Sequence, residues 1–173
     1  MRQLADSTRI ERFMRELGRA VDVEGRVYLT GGATAVLLGW RSTTIDIDIK
    51  LIPDRDEILR EIPRLKERLD LNVELAAPSD FIPLPERWED RSPLIRREGK
   101  LSFHHFDPVA QVLSKVERGH TQDIRDVREM IASGLVKPED ARTQFDLIEP
   151  NLYRFPAIDP ASFRRAVDEL FPR

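Results

Sequence analysis

Residues 29–51 read LTGGATAVLLGWRSTTIDIDIKL, and the fold turns on how this stretch is understood. Its second part, 44–51, alternates apolar and polar residues with period two and predicts a strand. Successive side chains on a strand point to opposite faces. Ile45, Ile47 and Ile49 are therefore expected on one face, and Asp46 and Asp48 on the other. The two carboxylates then sit roughly 7 Å apart along the backbone. Asp is depleted in strands, and like charges this close repel. Such a pair is retained most readily around a cation, and a hard divalent ion takes oxygen ligands of this kind. The plain alternative is the solvent face of an edge strand.

The first part of the stretch supplies a second feature. Residues 26–30 (RVYLT) read as a short buried strand, and 33–38 as a helical run that Gly39 ends. Gly31-Gly32 sits at the hand-over. Missing side chains let a phosphate approach the backbone, where the helix start offers free N–H groups. Thr30 and Thr34 flank the pair and carry hydroxyl donors. A phosphate cradle followed by a two-carboxylate strand is the arrangement that metal-assisted phosphoryl transfer requires.

Working outward, Ile10, Phe13, Met14, Leu17 and Val21 predict a helix over 7–21, capped by Asp6 or Ser7. Pro53 and Asp54 open a third helix, with Asp54 and Glu57 at capping-box spacing and a break or kink expected at Pro63. Residues 71–75 (LNVEL) predict a strand. Residues 78–93 hold four prolines and read as an irregular excursion, after which 101–106 predict a further strand. Asp107-Pro108, Lys137-Pro138 and Asp159-Pro160 mark helix starts, and another helix is expected over 121–132. The class is α+β: a small mixed sheet flanked by helices over 1–106, then a helical C-terminal subdomain over 107–173 expected to pack on it.

Composition agrees with a folded, water-exposed chain. The 173 residues are 40% apolar and 34% charged, which excludes intrinsic disorder, and no apolar run is long enough to span a membrane. The N-terminus lacks a signal-peptide pattern, so a cytoplasmic protein without membrane association is expected. Cysteine is absent, which excludes disulfides, thiolate metal sites and a Cys nucleophile. The net charge of −3 gives no overall attraction to nucleic acid, leaving only local basic surfaces to consider.

Taken together, Gly31-Gly32, thirteen intervening residues and Asp46-Ile47-Asp48 resemble the signature of the nucleotidyltransferase superfold typified by DNA polymerase beta. Val73-Glu74-Leu75 is similar to its third carboxylate, flanked by apolar residues on a later strand. The resemblance implies that Asp46, Asp48 and Glu74 hold two Mg²⁺ ions and that Gly31 and Gly32 hold a nucleoside triphosphate. Many members have Gly-Ser, so a role of that hydroxyl would fall here to Thr30 or Thr34.

Downstream, Lys115-Val116-Glu117-Arg118 and Asp123-Ile124-Arg125-Asp126 resemble a segment of the AbiEii/MenT-like branch, which includes toxins of toxin–antitoxin pairs. By that resemblance Lys115 and Arg118 face triphosphate oxygens, and Asp123 or Asp126 deprotonates the acceptor. The implied activity moves a nucleoside monophosphate from an NTP to an acceptor hydroxyl. The 3′ end of tRNA is the favoured acceptor and a cognate antitoxin the implied protein partner. The rival readings are a non-catalytic partner-binding protein on the same fold and an antibiotic-modifying nucleotidyltransferase.

Each of these residues also has a structural reading. Lys115 and Arg118 fit a solvated helix face, pairing with Glu117 or Asp123, and Asp123 and Asp126 fit helix-dipole partners in a first turn. His104 and His105 are adjacent on a strand, point opposite ways and do not share a metal. Arg91, Arg96, Arg97 and Lys100 form a basic cluster in sequence, either solvated or in contact with RNA or antitoxin. Trp40 and Trp88 read as packing residues.

Overall fold

The computed structural model describes Met1–Arg173 and keeps the alternation of the Asp-x-Asp strand. Strand β2 (Asp46–Ile52) buries Ile47, Ile49 and Leu51 and leaves Asp46, Asp48 and Lys50 half-buried. Ile45 departs from the expectation and is 69% exposed. The strand begins later than expected, because Thr44 is held in a separate bridge. Its N–H and carbonyl exchange hydrogen bonds of 2.9 and 2.8 Å with Ala5.

β2 belongs to a five-stranded mixed sheet with β1 (Gly25–Thr30), β3 (Asn72–Glu74), β4 (Leu94–Glu98) and β5 (Leu101–His105), in the order β3-β2-β1-β5-β4. β1 runs antiparallel to β2 and parallel to β5. β2 and β3 are parallel, and β4 and β5 form an antiparallel hairpin. β4 is not legible in the sequence. LIRRE lacks alternation because an edge strand, open on one side, is fixed by pairing with its neighbour rather than by burying a face.

Three helices supply the core of the sheet's other face. α1 (Ser7–Ala20) buries Ile10, Phe13, Met14 and Leu17, and its cap is Asp6, whose carboxylate accepts from the Arg9 N–H at 2.9 Å. α2 (Gly32–Leu38) ends at Gly39, which takes the left-handed conformation. α3 (Asp56–Leu69) is capped at Arg55, not Asp54, and runs through Pro63 without a break. Proline inside a helix costs about 3 kcal/mol. Here Ile58, Ile62, Leu65 and Leu69 are buried on both sides of it. At roughly 1.5–3 kcal/mol per buried side chain, packing outweighs that cost. These residues meet Val27, Leu29, Ile47, Ile49, Val73 and Phe103 of the sheet in one hydrophobic core.

The chain divides into two compact units. Met1–Ala77 with Ser92–Phe106 forms the sheet unit just described. Pro78–Arg91 with Asp107–Arg173 forms a helical unit of α4 (Pro108–Arg118), α5 (Thr121–Ala132), α6 (Pro138–Ile148) and α7 (Pro160–Leu170). The proline-rich stretch carries only two short 3-10 turns, Pro78–Asp80 and Trp88–Arg91. Asp107 caps α4 by accepting from the Val109 N–H at 2.9 Å. Its other oxygen takes Arg91 at 2.7 Å, so this arginine of the sequence cluster is committed inside the helical unit. Phe145 of α6 meets Phe163 of α7 edge-on, with ring centroids 4.7 Å apart. Trp40 and Trp88 are both half-buried. No helix is long and apolar enough to cross a membrane.

Candidate active site

Residues opposite one another in a ladder share a face of the sheet. Thr30 lies opposite Asp48, and Asp48 lies opposite Glu74. Thr30, Asp48 and Glu74 therefore form one row across β1, β2 and β3. Asp46 and Asn72 form the adjacent row on the same face. Asp46 and Asp48 are half-buried, while Glu74 is exposed at the sheet edge.

β1 delivers the chain to the glycine turn at the end of this row. Gly31 has φ +64°, a conformation that L side chains rarely adopt. A Cβ there would lie 3.2 Å from Asp48 Oδ2, so the bare backbone of the turn lies directly against the second carboxylate. At Gly32 a Cβ would fall 2.0 Å from Thr44 Oγ1 and 3.2 Å from Arg41 Nη1. The turn is thus walled by Asp48 on one side and by Thr44 and the Arg41 guanidinium on the other. Arg41 gets there through a tight turn after α2, in which the Gly39, Trp40 and Arg41 N–H groups all donate to the Ala35 carbonyl.

The two flanking threonines differ. Thr30 is buried at the end of β1 in the carboxylate row. Thr34 is 1% exposed, and its hydroxyl bonds His105 Nδ1 at 3.0 Å and the Leu29 carbonyl at 3.3 Å. It braces the turn from the core side. His105 is buried, and that burial pushes its imidazole down to about 4. His104, on the opposite face, stacks on Tyr28 at 5.2 Å and bonds Ser102 Oγ at 3.0 Å.

The His105 shift makes stability depend on pH. The folded state holds the ring neutral, whereas the unfolded chain protonates it near pH 6.5. Stability from this group is complete above that pH and is lost as pH falls from 6.5 toward 4. The loss totals roughly 3 kcal/mol. Urea unfolding of the wild type between pH 7 and 4.5 should show this slope above the carboxylate background. In His105→Gln the slope should be shallower.

Asn72, which the sequence reading passed over, stands between the carboxylates. Its amide donates to Asp46 Oδ1 and, at 3.1 Å, to Glu74 Oε1. With Asp46 and Glu74 held this way, no three carboxylate or imidazole side chains converge closely enough to hold a metal. The donor chemistry nevertheless fits a hard divalent ion: three carboxylates on neighbouring strands, all oxygen, beside a turn that a Cβ would crowd. Asp46, Asp48 and Glu74 are the residues that would hold it, with Asp46 and Glu74 exchanging the Asn72 amide for the cation.

In the helical unit, Lys115, Arg118, Asp123 and Asp126 come together with one another. Lys115 Nζ lies 2.7 Å from Asp126 and 3.7 Å from Asp123, and all three side chains are buried. Arg118 grips Asp123 with two bonds of 2.5 and 2.8 Å. Gln122 donates to the other Asp126 oxygen at 3.2 Å. The four charges balance and join α4 to α5. Burial pushes the Asp123 carboxyl up, but Arg118 and Lys115 outweigh it and hold the group below the usual carboxylate range. That makes Asp123 a poor base.

An α+β sheet that sets a Gly-Gly turn against an Asp-x-Asp strand, with a further carboxylate on the neighbouring strand, defines a nucleotidyltransferase-type protein. The family comparison agrees. Residues 8–145 match the model of a family described as "Nucleotidyltransferase of unknown function (DUF6036)", and the chain belongs to that family. Neither the curated proteins nor the solved structures yield a match.

Proposed function

We propose that the protein transfers a nucleoside monophosphate from an NTP to an acceptor hydroxyl. The observation carrying this reading is the close approach of the side-chain-free Gly31 backbone to Asp48, which puts the glycine turn beside a carboxylate row. The acceptor hydroxyl would lose its proton to water, its oxygen would bond to the α-phosphorus, and the bond to the β-phosphate oxygen would break, releasing pyrophosphate. Bound Mg²⁺ would lower the pKa of the acceptor hydroxyl and neutralise charge on the triphosphate. Arg41 beside the turn adds a guanidinium suited to phosphate oxygens. Asp46, Asp48 and Glu74 hold the cations, and Gly31 and Gly32 admit the triphosphate.

The resemblance to the AbiEii/MenT-like branch extends the proposal to a tRNA 3′ end as acceptor, with an antitoxin as protein partner. The test is transfer of label from each α-³²P-NTP, with Mg²⁺, onto total tRNA. Label on tRNA is the expected result. Absence of both label and any Mg²⁺-dependent rise in melting temperature with NTP would overturn the proposal. The separation of Asp46 and Glu74 by the Asn72 amide favours a second reading, a nucleotide-binding module without transfer. NTP binding with no label on any acceptor would select it.

A further inference from the structure

The basic cluster of the sequence is taken apart by the fold, and part of it is reassembled with residues far away in the chain. Arg96 turns to Glu11 and Glu98, at 3.5 and 3.6 Å. Arg97 lies opposite Ser102, and Ser102 lies opposite Arg26. Arg97, Ser102 and Arg26 therefore form a row across β4, β5 and β1. A groove of about 580 Å³ opens over this row, at the end of the sheet away from the Gly31–Asp48 turn. Arg26, Arg55, Arg97 and Lys100 line it against a single carboxylate, Glu24.

Arg55 Nε donates to the Glu24 backbone carbonyl at 2.9 Å, not to its carboxylate. The Arg26 guanidinium lies over the Tyr28 ring, 6.0 Å from its centroid. Lys100 pairs at 2.8 Å with Asp22, which is 92% exposed. Counting Asp22, four cationic and two acidic side chains border the groove. The wall is stiff: a Cβ at Gly99 would lie 2.7 Å from the Gly18 carbonyl, and one at Gly18 would lie 2.5 Å from Glu98 Cβ. The hairpin tip is thereby packed onto α1 with no room to move inward. Between the cations the lining is small or apolar: Gly25, Gly99, Ser102, Ile52 and Pro53.

We infer that this groove binds successive backbone phosphates of an RNA strand. Three guanidiniums and an ammonium set along an open groove suit phosphodiesters, because the planar guanidinium fork matches two phosphate oxygens. The inference rests on the RNA-acceptor part of the proposed function and gives the acceptor a holding site separate from the reacting groups.

The test is fluorescence anisotropy with a fluorescein-labelled single-stranded RNA oligonucleotide, over a range of salt and without NTP. Arg97→Glu/Lys100→Glu should weaken binding at least about tenfold and lower the salt slope by about 1.4, as two lost contacts to a single strand predict. Arg60→Glu/Arg64→Glu, the same charge change on the exposed face of α3, should stay within about twofold of wild type. Equal weakening in both variants would reduce the effect to overall charge and overturn the inference. So would wild-type affinity in the groove variant, or a loss confined to inorganic tripolyphosphate with RNA binding intact. Unchanged melting temperatures guard against misfolding. The Mg²⁺·NTP thermal shift, expected to persist in the groove variant, keeps a failure here distinct from a failure of the nucleotidyl-transfer reading.

Discussion

Asp48→Asn is expected to lower nucleotidyl transfer by about a thousandfold or more while leaving the fold in place. Asp48 is the carboxylate that lies against the glycine turn and stands opposite Glu74 in the ladder. On the proposed function, removing its charge would take a ligand from the cation that neutralises the triphosphate, an effect worth several kcal/mol in the transition state. Each 1.36 kcal/mol is a tenfold change in rate. The isosteric amide keeps the side-chain volume beside Gly31. Losing one member of a cross-strand like-charge pair changes stability by no more than about 1 kcal/mol. The measurement is transfer rate beside thermal melting, with and without Mg²⁺ and NTP. Lost transfer, an unchanged melting temperature without ligand, and an abolished Mg²⁺·NTP shift form the expected set. Transfer near the wild-type rate would remove Asp48 from the site.

The parts of this site legible in the sequence are those that depend on local periodicity. Alternation at 46–52 places Asp46 and Asp48 together whatever the strand pairs with, and a Gly-Gly between strand and helix is a turn in most contexts. Asn72 was not legible in the same way. It matters only because β3 pairs with β2 in one particular register, which no feature of LNVEL specifies. The sequence puts Arg41, with Thr43 and Thr44, near the mouth of the site without giving it a role; its place beside Gly32 is set by the three N–H groups that converge on the Ala35 carbonyl. The same limit applies to the basic residues at 91–100. Closeness in sequence suggested one patch, yet strand alternation and the unit boundary send Arg91, Arg96 and Arg97 to three different surroundings. β4 was invisible because an edge strand takes its conformation from its partner. Pro63 misled for the opposite reason, since a local helix-breaking preference yielded to packing on both sides of it.

The charged cluster of α4 and α5 sets structure against chemistry, and the second large effect is expected there. Lys115→Ala or Asp126→Ala alone should each destabilise the protein by about 3–5 kcal/mol, because each breaks the buried 2.7 Å ion pair from one side only. For a chain of this size that lowers the melting temperature by roughly 6–20 °C. The double variant Lys115→Met/Asp126→Asn should recover most of the loss. It removes one charge of each sign, and the two-bond grip of Arg118 on Asp123 stays balanced. The amide oxygen introduced at position 126 can still accept from Gln122, so α5 keeps that tie. The double variant also separates the two roles that the sequence leaves open for Lys115. If Lys115 serves only to join the helices, transfer activity returns along with stability. If it contacts triphosphate oxygens, the double variant melts like the wild type and stays inactive, with the loss appearing in NTP binding. The geometry favours the first outcome. A buried ammonium 2.7 Å from one carboxylate and 3.7 Å from a second would have to give up both to reach a nucleotide.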